Sequence, residues 1–539
     1  MSWSRSLLVC ALALPLTAQE HHLVTAQWLS NHLRDPNLIV IDTSPETYTK
    51  GHIPGAVGAN IYELFAYGFG DQSADKIEKR FQSWGISPGK RIVIYDKGGD
   101  NTATRLFFDL DYHGFPERDL FLLDGGLAKW QQQGLPVTTE ATPTPALGSF
   151  KLTSVNDEIR VGLPEFLTGS GDPAHYALVE GLDPTWHYGA VAPFDRPGHP
   201  PNGILASGDD FYNPDKTFKS PDDIKRMLLY LGIRPEQQLY TYCGGGVAAT
   251  IPFFAAKYIA EYPRVKVYPE SELGWLSDQR QLPYWTYDAP YLIRNAAWVQ
   301  WWNNPMLRTF LGPSISIIDL RPAAEYAQGH IPFSINVPAE VFRSNAAHPD
   351  KLANLLGPAG VNPAHEAVIV SGKGLTADSA LAFVLLQKLG QNRTSLFLEP
   401  IDSWKSSDQA LTKDATAVGA GKGPLSIPPV SYATKQADGV LLTGTDSSKG
   451  IYPKVFIASG SHAPAKTPDG AKVVHLPYTD LLNADGTPKP AKDIWTALEK
   501  AGVPRYAELI CISDDAGEAA ANYFTLKLMG FPDVKVMLL

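Results

Sequence analysis

The stretch LYTYCGGGVAAT, residues 239–250, reads as a short strand that runs into a glycine turn and then into a small-residue segment suited to open a helix, with Cys243 at the head of the turn. Glycines at 244, 245 and 246 let the main chain curl where side chains would block it. Successive backbone N–H groups then converge on the sulfur, and the positive end of a following helix lies beneath it. Both favour thiolate over thiol. Strand, tight turn and helix in this order are the unit of a parallel sheet, so this stretch points to an α/β fold.

The same order occurs four times along the chain. LIVIDTSPETYTKGHIPGAVGANI (38–61) is followed by RIVIYDKGGDNTATRLFFDLDYHGF and LFLLDGGLAKWQQQGLPV. YALVEGLDPTWHYGAVAPFDRPGHPPNGILAS (176–207) precedes the Cys243 stretch, and VKVYPESELGWLSD follows it. SIIDLRPAAEYAQGHIPFSINVP (316–338) leads to AVIVSGKGLTADSALAFVLLQKLG and SLFLEPIDSWKSS. A fainter copy closes the chain with GVLLTGTDSSKGIYPKVFIASGSHAPA, AELICISDDAGEAAANYFTLKLMGF and VKVMLL. Unbroken apolar runs of this kind are strands buried on both faces, and their alternation with helices predicts tandem α/β domains, each a parallel sheet flanked by helices.

Linkers fall between the copies: TTEATPTPALGSF (138–150), LPYWTYDAP (282–290) and TKDATAVGAGKGPLSIPP (412–429). The expected division is residues 20–140, 151–289, 291–411 and 430–539 after a leader of residues 1–19. In that leader a single Arg5 precedes the apolar run Leu7–Leu16 and then small and polar residues, the layout of a cleavable export signal. The protein is accordingly expected to be periplasmic or secreted. The run is too short to span a bilayer as a stable helix, so no membrane span is expected.

At 539 residues, with 44% hydrophobic and 19% charged residues, the chain is long enough for three or four globular domains. A formal net charge of −10 and the lack of a Lys/Arg stripe exclude a nucleic-acid or anionic-membrane footprint. Removing the leader takes Cys10 with it and leaves Cys243 and Cys511. Cys511 lies inside the strand-like run AELICISDD and reads as a buried structural thiol. No pair of His, Cys or acidic residues has a metal-ligand spacing, and the His21–His22 pair lies at an expected frayed terminus, so neither metal nor cofactor is called for.

The GHIPGA signature, the glycine-rich turn after a central strand and the closing LLDGGLAKWQQQGLPV resemble the rhodanese-like sulfurtransferases over nearly the whole mature chain. The first two copies together are similar to tandem thiosulfate and 3-mercaptopyruvate sulfurtransferases, in which an inert first domain supports a catalytic second one. The resemblance implies four rhodanese-like domains, a persulfide carried on Cys243, and a loop cradle of Gly244, Gly245, Gly246, Val247 and Ala248. It implies a small-molecule sulfur donor, thiosulfate or 3-mercaptopyruvate, and a thiol or cyanide acceptor.

Residue chemistry agrees. The four turns are headed by Asp96, Cys243, Ser371 and Ser513, and only Cys243 is a thiol able to take and release sulfur by double displacement. Asp96 reads as a turn former that repels anionic donors, Ser371 as a polar replacement in a retired site, and the fourth copy as degenerate. Active domains of this family carry Arg two residues beyond the acid that ends the first strand, as Arg321 follows Asp319; Leu182 stands there in the second copy. Arg196 is then the nearest cation for gripping a donor anion and, with His187, the expected substrate-binding pair; His199 lies in the same stretch. Lone loop histidines of this sort are surface residues as a rule. The loop looks closer to mercaptopyruvate-type loops, with Gly245 in place of their serine. A cysteine phosphatase needs an arginine six residues after the thiol, and Ala249 stands there. The other reading is a non-catalytic scaffold of four repeats, since three of them lack the thiol.

Overall fold

The computed structural model describes residues 20–66, 70–406, 410–416, 418–419, 425–443, 450–465 and 471–539. The expected leader, residues 1–19, and part of the 412–429 linker lie outside the described residues.

Among the described residues there are four sheets, and all their strand pairs are parallel. The first holds β1 (Leu23–Val24), β2 (Leu38–Asp42), β3 (Val57–Gly58), β4 (Arg91–Tyr95) and β5 (Leu120–Leu123) in the order β1-β5-β4-β2-β3. The second holds β6 (Tyr176–Glu180), β7 (Gly203–Leu205), β8 (Gln238–Tyr242) and β9 (Val265–Val267) in the order β7-β6-β8-β9. Here a single parallel bridge, Arg160 to Val267, stands where the first sheet has an edge strand. The third is β10 (Ile293–Arg294), β11 (Ile315–Asp319), β12 (Ile335–Asn336), β13 (Glu366–Val370) and β14 (Arg393–Phe397), ordered β10-β14-β13-β11-β12. The fourth is β15 (Leu441–Thr443), β16 (Lys454–Ala458), β17 (Val473–His475), β18 (Glu508–Ile512) and β19 (Val534–Leu538), ordered β15-β19-β18-β16-β17. The central strands are buried almost end to end, as their apolar runs require.

Chain packing groups these sheets into two compact units. Residues 1–187 with 193–284 form one, and residues 188–192 with 285–539 form the other. In the first unit the Thr102–Tyr112 helix meets the Thr250–Phe254 helix through edge-to-face rings, Phe107 on Phe254 at 5.0 Å and Phe108 on Phe253 at 5.5 Å. In the second, the Ala377–Lys388 and Ala516–Leu528 helices meet in the same way through Phe383 and Phe524 at 5.2 Å. Each unit thus joins two sheets by the helix that follows each central strand.

The N-terminal histidines are not frayed. His22 bonds Leu120 O at 3.1 Å and faces Phe107 and Tyr258, while His21 bonds Tyr258 O at 3.1 Å. Among the described residues no helix is long and apolar enough to cross a membrane.

Candidate active site

Cys243 follows β8 directly and is 2% exposed. The N–H of Gly246 points at its sulfur, 3.1 Å from Sγ. Gly246 has φ +83°, and a Cβ there would meet Pro269 O and come within 3.0 Å of Arg105 Nη1, so only glycine fits. The other cradle residues use their main chain differently. The carbonyls of Gly244, Val247 and Ala248 accept from Leu273, Thr250 and Ile251. The helix expected immediately after the glycines begins at Thr250 and continues through a π turn over Ala255–Ile259, because the loop first closes on the Ser271–Leu276 segment.

Two residues distant in sequence fix the loop. Ser271 Oγ accepts from the Cys243 N–H at 3.0 Å, donates to Tyr268 O at 2.8 Å and lies 3.9 Å from Sγ. Its φ of +51° matches that of Gly126, φ +55°, in the first sheet, so a serine here bears backbone strain that glycine would avoid. Arg105, from the Thr102–Tyr112 helix, donates from Nη1 to Gly246 O at 2.8 Å. It is 1% exposed, paired with buried Asp109 at 3.0 Å and stacked on Phe65. Outside the loop, Trp186, Phe194 and Leu182 line Gly244 with apolar surface.

A buried polar cluster lies at the ends of β6 and β8. Glu180 Oε2 accepts from Tyr242 OH and from His187 Nδ1, both at 2.8 Å. His199 Nδ1 donates to His187 O at 2.9 Å, and both histidines are fully buried, so neither is the surface residue its loop position suggested. Burial pulls the Glu180 carboxyl up, but His187, His199 and Tyr242 outweigh it and hold the group below the usual carboxylate range. Glu272, 1% exposed, donates its N–H to Cys243 O at 2.9 Å. Burial, then the charges of Glu180 and Cys243, push its carboxyl well up, so it is the neutral member of the pair.

Glu180, His187 and His199 bring three ligand-type atoms within 4.8 Å of one another, a grouping that linear spacing hid. The imidazoles are stacked 3.7 Å apart with their planes 3° from parallel, so their in-plane lone pairs run side by side and do not meet at one ion. The same stacking recurs for Tyr48 on His52 at 3.8 Å and Tyr326 on His330 at 3.7 Å. It belongs to the fold, and the cluster does not fit a metal.

Arg196 is committed elsewhere. It donates to Leu276 O at 2.8 Å, to Trp275 O at 2.6 Å and to Leu282 O. It clamps the end of the Ser271–Leu276 helix, so the expected grip on a donor anion has no geometric support; three carbonyls held its guanidinium better than a solvated anion would.

The other three loops differ in what fills them. Asp96 accepts the Gly98 N–H at 2.8 Å and the Ala103 N–H at 3.3 Å, so its own carboxylate occupies the cradle; burial pushes it up to about 6. Ser371 Oγ donates to Lys373 O at 3.1 Å and Gly374 O at 2.8 Å and accepts from the Lys373 N–H at 3.4 Å, beside a cavity of about 570 Å³. Ser513 donates to Glu518 at 2.6 Å. Cys511 is buried in β18, which pushes its thiol far up.

A thiol at the tip of a parallel sheet, with a main-chain N–H aimed at its sulfur, defines a loop that holds a sulfur anion. The rhodanese-like domain profile matches residues 25–133 and 307–407, which places Cys243 outside both matched ranges. A probable 3-mercaptopyruvate sulfurtransferase of Pseudomonas aeruginosa is 30% identical over 287 residues, covering 48% of this chain and 96% of that protein. The thiosulfate sulfurtransferase of the same organism is 30% identical over 253 residues, covering 46% and 91%. The sulfur carrier protein TtuD of Thermus thermophilus is 28% identical over 276 residues, covering 47% and 93%. The chain belongs to the rhodanese-like family.

Glu272, Ser271, Arg105 and Trp186 were missed from sequence. Aligning the copies on their buried tryptophans, Trp130, Trp275 and Trp404, would have exposed Glu272, which stands where the others carry Leu127 and Ile401.

Proposed function

We propose that the protein is a sulfurtransferase that carries sulfane sulfur on Cys243 from thiosulfate or 3-mercaptopyruvate to cyanide or a thiol. The thiolate attacks the donor sulfur. With thiosulfate the S–S bond breaks and sulfite leaves with the electron pair; with 3-mercaptopyruvate the C–S bond breaks and the enolate of pyruvate leaves and takes a proton. The terminal sulfur of the persulfide is then attacked by the acceptor, which regenerates the thiolate. The observation that carries this reading is the Gly246 N–H at 3.1 Å from Sγ, a donor preset for the anion at every step. The corresponding loops are headed by Asp96, Ser371 and Ser513, none of which is a thiol that could carry sulfur.

The test is direct. Thiosulfate or 3-mercaptopyruvate should add one sulfur atom at Cys243, read by mass, and cyanide should remove it as thiocyanate. Cys243→Ser should abolish both while the melting curve stays unchanged, because a hydroxyl fills the same space without forming a persulfide. Transfer at the wild-type rate in Cys243→Ser would leave the scaffold reading in its place.

A further inference from the structure

The repeats supply an internal control for what the Cys243 loop needs. Three residues before the buried tryptophan, the first sheet has Leu127 and the third has Ile401; the second has Glu272. Leu127 and Glu272 make the same main-chain bond, to Asp96 O and Cys243 O, each at 2.9 Å. The position is therefore a core site that apolar residues fill, and a carboxyl placed there must offset its own desolvation. A second exchange accompanies it. The ring stacked under the GHIPGA histidine is Tyr48 in one copy and Tyr326 in another, each donating to a main-chain carbonyl, Ala56 O or Ser334 O. In the thiol-bearing copy that ring is His187, which donates to Glu180. Packing asks for neither change, and both bear on Glu180 and Cys243.

Resting on the reading of Cys243 as the sulfur carrier, we propose that Glu272 is a positioning residue. As a neutral acid it donates its proton to Glu180, keeps one carboxylate charge under the loop, and by losing that proton at alkaline pH shuts off sulfur carriage on Cys243. Glu180 Oε1 and Glu272 Oε1 are both buried with no hydrogen-bond partner among the described residues, as expected of two carboxyls that share one proton, and Glu180, which accepts from His187 and Tyr242, is the one that ionises. The groups that face this pair are Cys243 from the loop, Tyr242 from β8, and His187 and His199 from the segment after β6. The cation bonded to the loop, Arg105, is already engaged by Asp109 and Gly246 O. A second carboxylate beside Sγ would therefore meet a thiolate and a persulfide anion with little to offset it. Glu272 holds its proton through the whole transfer cycle.

The test compares wild type with Glu272→Gln, which keeps shape and neutrality, and Glu272→Leu, which copies the first sheet. Sulfur loading from thiosulfate at pH 7 should agree within about threefold between wild type and Glu272→Gln; as the pH is raised the wild type should fall about tenfold relative to Glu272→Gln. Alkylation of Cys243 by iodoacetamide, which needs no sulfur donor, should titrate as two coupled steps in wild type and as one in Glu272→Gln and Glu272→Leu. Superimposable alkylation profiles overturn the role of Glu272 even where sulfur loading persists. Loss of loading in wild type with the two-step alkylation profile retained would sink the sulfur-carrier reading alone.

Discussion

Gly246 is where the chemistry of the loop rests on one backbone conformation. Its φ of +83° aims the N–H at Sγ, and its missing Cβ leaves room for Pro269 O and Arg105. Gly246→Ala should destabilise the protein by about 1–3 kcal/mol through left-handed strain and the clash with main chain. Sulfur loading of Cys243 should slow by at least about tenfold, since loss of one preset donor to a developing anion has effects of that order or larger. Thermal melting and single-turnover loading read the two effects separately, and an alanine variant that loads sulfur at the wild-type rate would show that this N–H is dispensable. The other residue legible only in part is Cys243 itself. Its neighbours in sequence announced a cradle, but most of its contacts come from Ser271 and Glu272, residues beyond the next strand.

Among the elements, the Thr102–Tyr112 helix of the first sheet has the largest influence on a loop it does not belong to. Arg105 projects from it to the Gly246 carbonyl while paired with Asp109, and both side chains are buried. Removing one partner of such a pair leaves the other charge unpaired inside the protein. Arg105→Ala should therefore lower stability by about 3–5 kcal/mol and slow sulfur loading together. A shift in the melting curve with loading unchanged would confine Arg105 to a structural role. The copy whose own loop holds the Asp96 carboxylate thus supplies a side chain to the loop of the thiol-bearing copy. The helix start was read too early for a related reason. The small residues Gly-Gly-Gly-Val-Ala-Ala permit a helix, but carbonyls at 243 and 244 bond instead to Glu272 and Leu273 N–H groups, and that tertiary pairing delays helix formation to Thr250.

At the scale of the whole molecule, the four sheets of the described residues are organised as two compact units. Paired burial of the Phe107–Phe254 and Phe383–Phe524 contacts joins sheets within a unit, and a single copy would leave those rings in water. Residues 20–284 expressed alone should fold cooperatively and produce thiocyanate per molecule at a rate within about threefold of the full chain, while residues 285–539 should produce none. Circular dichroism with the thiocyanate assay checks both halves. Activity in the second fragment would relocate the sulfur carrier, and an unfolded first fragment would show that its core is incomplete without the rest of the chain.

Local chemistry is what the sequence alone could determine. Apolar runs of four or five residues specify doubly buried strands, glycines specify turns, and four copies in register specify parallel sheets, because each depends on neighbours along the chain. Cys243 was legible for the same reason, as the one thiol at a position repeated four times. What the tertiary structure decided is which charges are buried and what they meet. It tied Arg196 to three carbonyls, brought Arg105 onto Gly246, buried His187 and His199 against Glu180, and set Glu272 beneath Cys243. Crossover connections in a parallel sheet bring together side chains far apart in sequence, and desolvation then chooses which of them keep their protons; neither effect leaves a mark in residue spacing.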